Sequence, residues 1–223
     1  YTSECILGGI ILIKKRVIPC LDVKDGRVVK GIQFKSLRDI GNPVDLALYY
    51  NVTGADELVF LDISKIETGH DLMLEVIERT AKQLFIPLTV GGGIQNLNDI
   101  TQLLNHGADK VSLNSSALKH PELIRQASEK FGSQCICTAI DSFYDEQRDD
   151  YFCTTHGGKR LTNVRVYDWV QEVERLGAGE LLITSMHHDG MKQGFDIDHL
   201  AEIKQLVNIP IIASGSRNNC GNN

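Results

Sequence analysis

Short apolar, β-branched runs alternate along this chain with longer stretches whose apolar positions fall three or four apart. The runs are Val17–Asp22, Glu57–Asp62, Ile86–Val90, Asp109–Asn114, Cys135–Asp141, Glu180–Ser185 and Ile209–Ser214, and each reads as a buried strand. The stretches between them read as helices: Pro43–Val52, Asp71–Leu84, Asn98–His106, Pro121–Phe131, Val164–Leu176 and Ile197–Val207. Asn42 is placed as an N-cap with Pro43 at the first helical position, Asn96 as a second N-cap, and Gly107 as a stop. Strands alternating with helices at this spacing predict a parallel sheet with right-handed crossovers. Two segments break the alternation. Val23–Phe34 carries the tight-turn signal Asp25-Gly26, and about twenty polar residues after Asp141 carry Tyr151–Thr155 and Gly157-Gly158; both predict hairpins.

The pattern repeats. Gly54-Ala55-Asp56-Glu57-Leu58 lies 33 residues before Pro87, and Gly177-Ala178-Gly179-Glu180-Leu181 lies the same 33 before Pro210. The copies are offset by 123 residues without a gap from Gly54 to Gly92, a duplicated half-domain. A twofold repeat of four strand–helix units predicts an α/β fold, and points to the (β/α)8 TIM barrel more than to an open sheet. The same offset would place the next Gly-Ala-Asp, after Gly107-Ala108-Asp109, at 230, past the 223 residues present. The last helix, strand and helix are therefore expected to be missing. Residues 1–13 show neither period nor caps and read as an atypical extension. Residues 14–215 form the incomplete barrel, and 216–223 a polar tail outside the pattern.

A net charge of −6 and a pI near 5.6 argue against a nucleic-acid surface. No apolar run reaches the ~18 residues of a membrane span. Six cysteines without metal spacing suit small buried hydrophobes in a reducing cytoplasm.

In such a barrel, chemistry sits at the C-terminal ends of the strands. Asp22 and Asp141 end the first and fifth strands, opposite each other across the mouth. Two facing carboxylates can divide acid and base roles, whereas a lone one would merely cap a loop. Asp62 also ends a strand, but Ser185 is its repeat partner, so capping suits it equally. Lys30 lies in the polar first loop, where a lysine could meet a phosphate or the substrate or equally be a generic loop residue. Gly92, Gly93, Asn114 and Ser115 gather small groups and bare backbone that suit a phosphate. The symmetry mate of this site would use Ser214, Gly215 and the eighth loop, plus Asp189 and Gly190 after strand six, and is expected to be incomplete; two such sites imply an elongated bisphosphate substrate. At the opposite ends of the strands stand Arg16, Glu57, Lys110 and Glu180, either solvated charges or a plug in the barrel.

VIPCLDVKDGRVVKG at 17–31, DELVFLDI at 56–63, TVGGGI at 89–94, GADKVSLNSSA at 107–117 and AIDS at 139–142 resemble the cyclase subunits (HisF) of imidazole glycerol phosphate synthase, from histidine biosynthesis. The resemblance runs from about Ile13 to Gly215, and Lys24 and Lys30 favour the cyclase over its sister isomerase. It implies a lyase that needs no metal or organic cofactor and pairs with a glutaminase subunit as a heterodimer. Ammonia released at the bottom face would cross the barrel to a phosphoribulosyl-formimino-aminoimidazole carboxamide ribotide. The products would be imidazole glycerol phosphate and aminoimidazole carboxamide ribotide. The family's acid/base pair falls on Asp22 and Asp141 and its assisting lysine on Lys30. Its gate falls on Arg16, Glu57, Lys110 and Glu180. Its phosphate contacts fall on Gly92, Asn114 and Ser115 on one side, and on Asp189 and Gly190 on the other. The family continues with a second glycine after Gly215, where this chain has Ser216. Exposed strand edges and greatly reduced or no cyclase activity are the expectation. The sister isomerase and a non-catalytic barrel fragment are the alternatives.

Overall fold

The computed structural model describes residues 4–7, 10–13, 15–32, 35–64, 66–186 and 195–215. In chain order the elements are β1 (Glu4–Leu7), β2 (Ile10–Ile13), β3 (Cys20–Lys24), β4 (Arg27–Ile32), β5 (Lys35–Gly41), α1 (Pro43–Val52) and β6 (Leu58–Asp62). They continue with α2 (Ile66–Ala81), β7 (Leu88–Gly91), α3 (Leu97–Asn105), β8 (Lys110–Leu113), α4 (Ser115–Lys119) and α5 (Glu122–Phe131). The remainder are β9 (Ile136–Asp145), β10 (Asp150–Thr155), β11 (Arg160–Arg165), α6 (Val166–Arg175), β12 (Glu180–Ser185), α7 (Ile197–Leu206) and β13 (Ile211–Ser214). The parallel strands run β3-β6-β7-β8-β9-β12-β13, with antiparallel β4 and β5 added beside β3, and β10 and β11 beside β9.

The parallel sheet curls. Arg16, just before β3, and Glu180, on β12, are five strand spacings apart along it, about 24 Å if the sheet were flat. Their side chains instead stand 3.6 Å apart. Only a sheet bent towards a barrel brings these strands together. Alternation from Glu57, Lys110 and Glu180 puts Leu61, Ser112, Asn114 and Thr184 on the same inner face. The opposite set, among them Leu58, Phe60, Val111, Leu113, Ile136, Ile140, Leu181 and Ile183, is buried against Ile77, Ile100, Ile124, Val170 and Ile203 of the helices. Hydrophobic burial between strands and helices is therefore the main cohesive term.

The duplication is visible in strand register. Leu58 pairs with Leu88 across β6–β7, and Leu181 with Ile211 across β12–β13, both residues displaced by the repeat interval. One physical difference separates the copies. Leu88–Gly91 is buried throughout, whereas Ile211–Ser214 is half-buried throughout. Among the described residues β13 pairs with β12 alone, while β7 lies between two parallel neighbours.

Local signals acted where expected. Asn42 accepts from the Val44 N–H with Pro43 following, and Asn96 forms a capping box with Asp99. Several boundaries differ from the sequence reading. Strands one and five do not end on Asp22 and Asp141; they continue to Lys24 and Asp145, straight into hairpins. Lys30 is on a strand, β4, and Ser115 opens the short helix α4. Residues 4–7 and 10–13 pair antiparallel as β1 and β2, within the stretch read from the sequence as an atypical extension. Cys137 and Cys153 are buried, but Cys20 is exposed, since β3 gains its β4 neighbour only from Asp22 onward.

Candidate functional site

Asp22 and Asp141 hold equivalent places in the two halves. Asp22 pairs with Leu61 across β3–β6, and Asp141 with Thr184 across β9–β12; Leu61 and Thr184 are themselves separated by the repeat interval. Both aspartates are half-buried. The Asp141 carboxylate accepts a hydrogen bond from Asn114 Nδ2 at 3.2 Å. Asn114 Oδ1 is buried with no hydrogen-bond partner among the described residues, an acceptor facing the same region. Asn114, a phosphate candidate in the sequence, donates to Asp141 among the described residues. Asp62 accepts from the Ser64 N–H at 2.9 Å, the loop-capping role. The Lys30 side chain is exposed on β4. Asp189 and Gly190 lie outside the described residues.

Gly92 and Gly93 follow β7 with φ of +90° and +67°. A Cβ on Gly92 would stand 2.0 Å from the Asp62 carbonyl oxygen, whereas one on Gly93 would meet nothing within 4 Å. Gly92 is thus required by close packing of backbone on backbone, and Gly93 faces open space beside it. Gly92→Ala is expected to destabilise the fold by roughly 3 kcal/mol, and Gly93→Ala by only about 1 kcal/mol. Urea midpoints of the two variants check this. Ser115 Oγ lies 3.5 Å from the His156 N–H, which ties the start of α4 to the turn after β10. Gly215 follows β13, with the Phe195 ring beside it.

At the other end of the strands four charges close a ring. Lys110 Nζ donates to Glu57 Oε2 at 3.0 Å and to Glu180 Oε1 at 2.9 Å. Arg16 bonds Glu57 through Nη1 and lies 3.6 Å from Glu180 through Nη2. Burial pulls the Lys110 ammonium down, but bonds to Glu180 and Glu57 outweigh it and hold its pKa above the ordinary lysine value. Just above the ring, the wholly buried Cys137 thiol is pushed well above its usual range, by burial first and then by Glu180. Cys137 and Ser112 follow the ring inward, and Asn114 and Asp141 stand at the far end of the same inner face.

A second polar cluster, unforeseen from the sequence, lies behind β9. His199, on α7, is 1% exposed. Its Nε2 meets Ser142 Oγ at 2.8 Å and its Nδ1 meets Tyr167 OH at 3.0 Å. The Tyr151 ring stacks on it at 3.7 Å. Burial pushes the His199 pKa down to about 4, against the opposing pull of Asp196, Glu202 and Asp150. The unfolded chain therefore binds a proton here between about pH 6.5 and pH 4 that the folded chain refuses, and stability falls as pH falls through that window. His199→Leu is expected to remove on the order of 2 kcal/mol of the loss between pH 7 and pH 5, read from urea midpoints at each pH.

Residues 16–220 match the family described as histidine biosynthesis protein. The chain is 89% identical over 208 residues to imidazole glycerol phosphate synthase subunit HisF of Staphylococcus epidermidis ATCC 12228, spanning 93% of this chain and 82% of that protein. It is 80% identical over 208 residues to the protein of the same name from Staphylococcus aureus MRSA252, with the same coverage. With a curled parallel sheet, a duplicated register and identity at this level, the chain belongs to the histidine biosynthesis protein family, among the HisF subunits of imidazole glycerol phosphate synthase.

Proposed function

We propose that this chain carries the cyclase reaction of imidazole glycerol phosphate synthase, with Asp22 and Asp141 as its acid/base pair. The observation that carries the reading is their matched register: one carboxylate from each half, at the same height in the sheet. Ammonia, the proposed nitrogen donor, displaces the ribulosyl carbonyl oxygen as water and becomes part of the imidazole ring as the phosphoribulosyl-formimino-aminoimidazole carboxamide ribotide is cleaved. One carboxylate takes a proton from the attacking nitrogen while the other supplies one to the departing fragment. Asn114 supports this division by donating to Asp141 and leaving the other carboxylate to a different environment. Gly92, Gly93 and Ser115 suit one phosphate, through bare backbone and a hydroxyl beside open space. Ser214 and Gly215, their repeat mates, suit the second, together with Asp189 and Gly190.

The ring of Arg16, Glu57, Lys110 and Glu180 suits a gate at the face where a glutaminase subunit would dock. Around this end Val17 is 65% exposed, Val52 71% and Phe85 94%. Apolar side chains left in water beside a barrel entrance favour coverage by a partner. No helix among the described residues is long and apolar enough to cross a membrane.

The purified chain, supplied with the ribotide and an ammonium salt, is expected to release imidazole glycerol phosphate and aminoimidazole carboxamide ribotide. No product with ammonium present, or conversion of substrate without any nitrogen donor, would sink the reading. The second outcome would indicate the isomerase chemistry instead.

A further inference from the structure

We propose that His199 is a positioning residue for Asp141, acting through its buried hydrogen bond to Ser142. The inference rests on the reading of Asp141 as one of the acid/base pair. Ser142 follows Asp141 on β9, so the two side chains point to opposite faces: Asp141 to the barrel interior, Ser142 towards α7. At this point the strand changes neighbours. Its pairing with β8 ends at Thr138, its pairing with β12 ends at Ser142, and its pairing with β10 begins at Asp141. Asp141 and Ser142 lie where the β12 and β10 ladders overlap, and the Ser142–His199 bond ties that overlap to α7.

The bond has a direction. Tyr167 OH donates to the Glu202 carboxylate, so its oxygen is left to accept from His199 Nδ1–H. His199 Nε2 is then the acceptor for the Ser142 hydroxyl. The imidazole is held in turn by Tyr151, whose hydroxyl donates to Asp196 at 2.7 Å. Asp196 is the N-cap of α7 and accepts the His199 backbone N–H. A serine bonded to a histidine can also be an activated nucleophile, but Ser142 is 0% exposed and has no route to a substrate. What the pair can do is hold β9 in place, and with it the carboxylate on the other side.

The test reads the Asn114 side-chain amide, which donates to Asp141, by NMR of the folded chain, with the resonance assigned by its loss in Asn114→Asp. Ser142→Ala deletes one hydroxyl and His199→Leu the imidazole. Both are expected to move this resonance towards the position of a solvated asparagine. Tyr151→Phe, which removes the bond to Asp196 and keeps Ser142–His199, is expected to lower the melting temperature without moving it. An unmoved resonance in folded Ser142→Ala would overturn the proposal, as would an equal displacement in Tyr151→Phe. Because the readout needs no turnover, its failure is distinct from failure of the acid/base assignment, which rests on turnover alone. If the chain turns over, Ser142→Ala should lower kcat with KM unchanged; a rise in KM alone counts against the proposal.

Discussion

Lys110→Met is expected to lower the unfolding free energy by about 3–5 kcal/mol, the cost of leaving buried carboxylates without their cation. The Glu57 and Glu180 side chains are each only 8% exposed, and Lys110 bridges them from a position itself 16% exposed. Arg16 reaches both as well but is 35% exposed, so water screens its share more heavily. With methionine at 110, two carboxylates face each other with half of their compensation gone. Because the folded-state pKa of Lys110 is raised, the stabilisation it gives is fully present at neutral pH and is lost only as pH climbs through the raised value. Adding Glu57→Gln and Glu180→Gln to Lys110→Met is expected to recover most of the loss, since no buried charge is then stranded. Urea unfolding of the single and triple variants decides it. A single-variant loss below about 1 kcal/mol would place the ring among ordinary surface ion pairs.

Much of this architecture could be read from apolar spacing and one interval. The repeat that aligns Leu58 with Leu181 also aligns the pairing of each with its neighbouring strand. Their places on the first and fifth strands of a duplicated fold made Asp22 and Asp141 a pair rather than two loop caps. What escaped the reading has physical causes. The strands run on past both aspartates because hairpins extend them, and past Asp141 one buried serine is followed by three half-buried residues, without the apolar run that marks a buried strand. The β1–β2 pairing has a local signal in the sequence, Gly8-Gly9 between apolar runs, which reads as a turn in its own right. Arg16, Glu57, Lys110 and Glu180 could be placed at the same end of the sheet, but their closure into a ring depends on curl, which no local spacing encodes. His199 meets Ser142 across 57 residues of chain, and in its own helix it reads as one more polar position. Positions that repeat with the fold were legible; the His199 cluster, found in one half only, was not.

Asp141→Asn and Asp22→Asn are each expected to slow ammonia-driven turnover by about 10²–10⁴, the usual loss when a general acid or base is removed. An amide keeps the shape of the carboxylate but cannot take or give a proton at neutral pH, so folding should change little at half-buried positions. At 141 the change is conservative in a further respect, because the new amide oxygen can still accept the hydrogen bond from Asn114. A lost rate there reports on proton transfer more than on position. The double variant should be scarcely slower than the worse single one: removing one partner of a cooperating pair already disables the step both serve. Single-turnover rates with an ammonium salt, set beside urea midpoints, separate the outcomes. Turnover of either single variant near that of the unsubstituted chain would remove that residue from the mechanism. A double variant showing the product of the two single losses would mean that the carboxylates serve separate steps rather than one divided proton transfer.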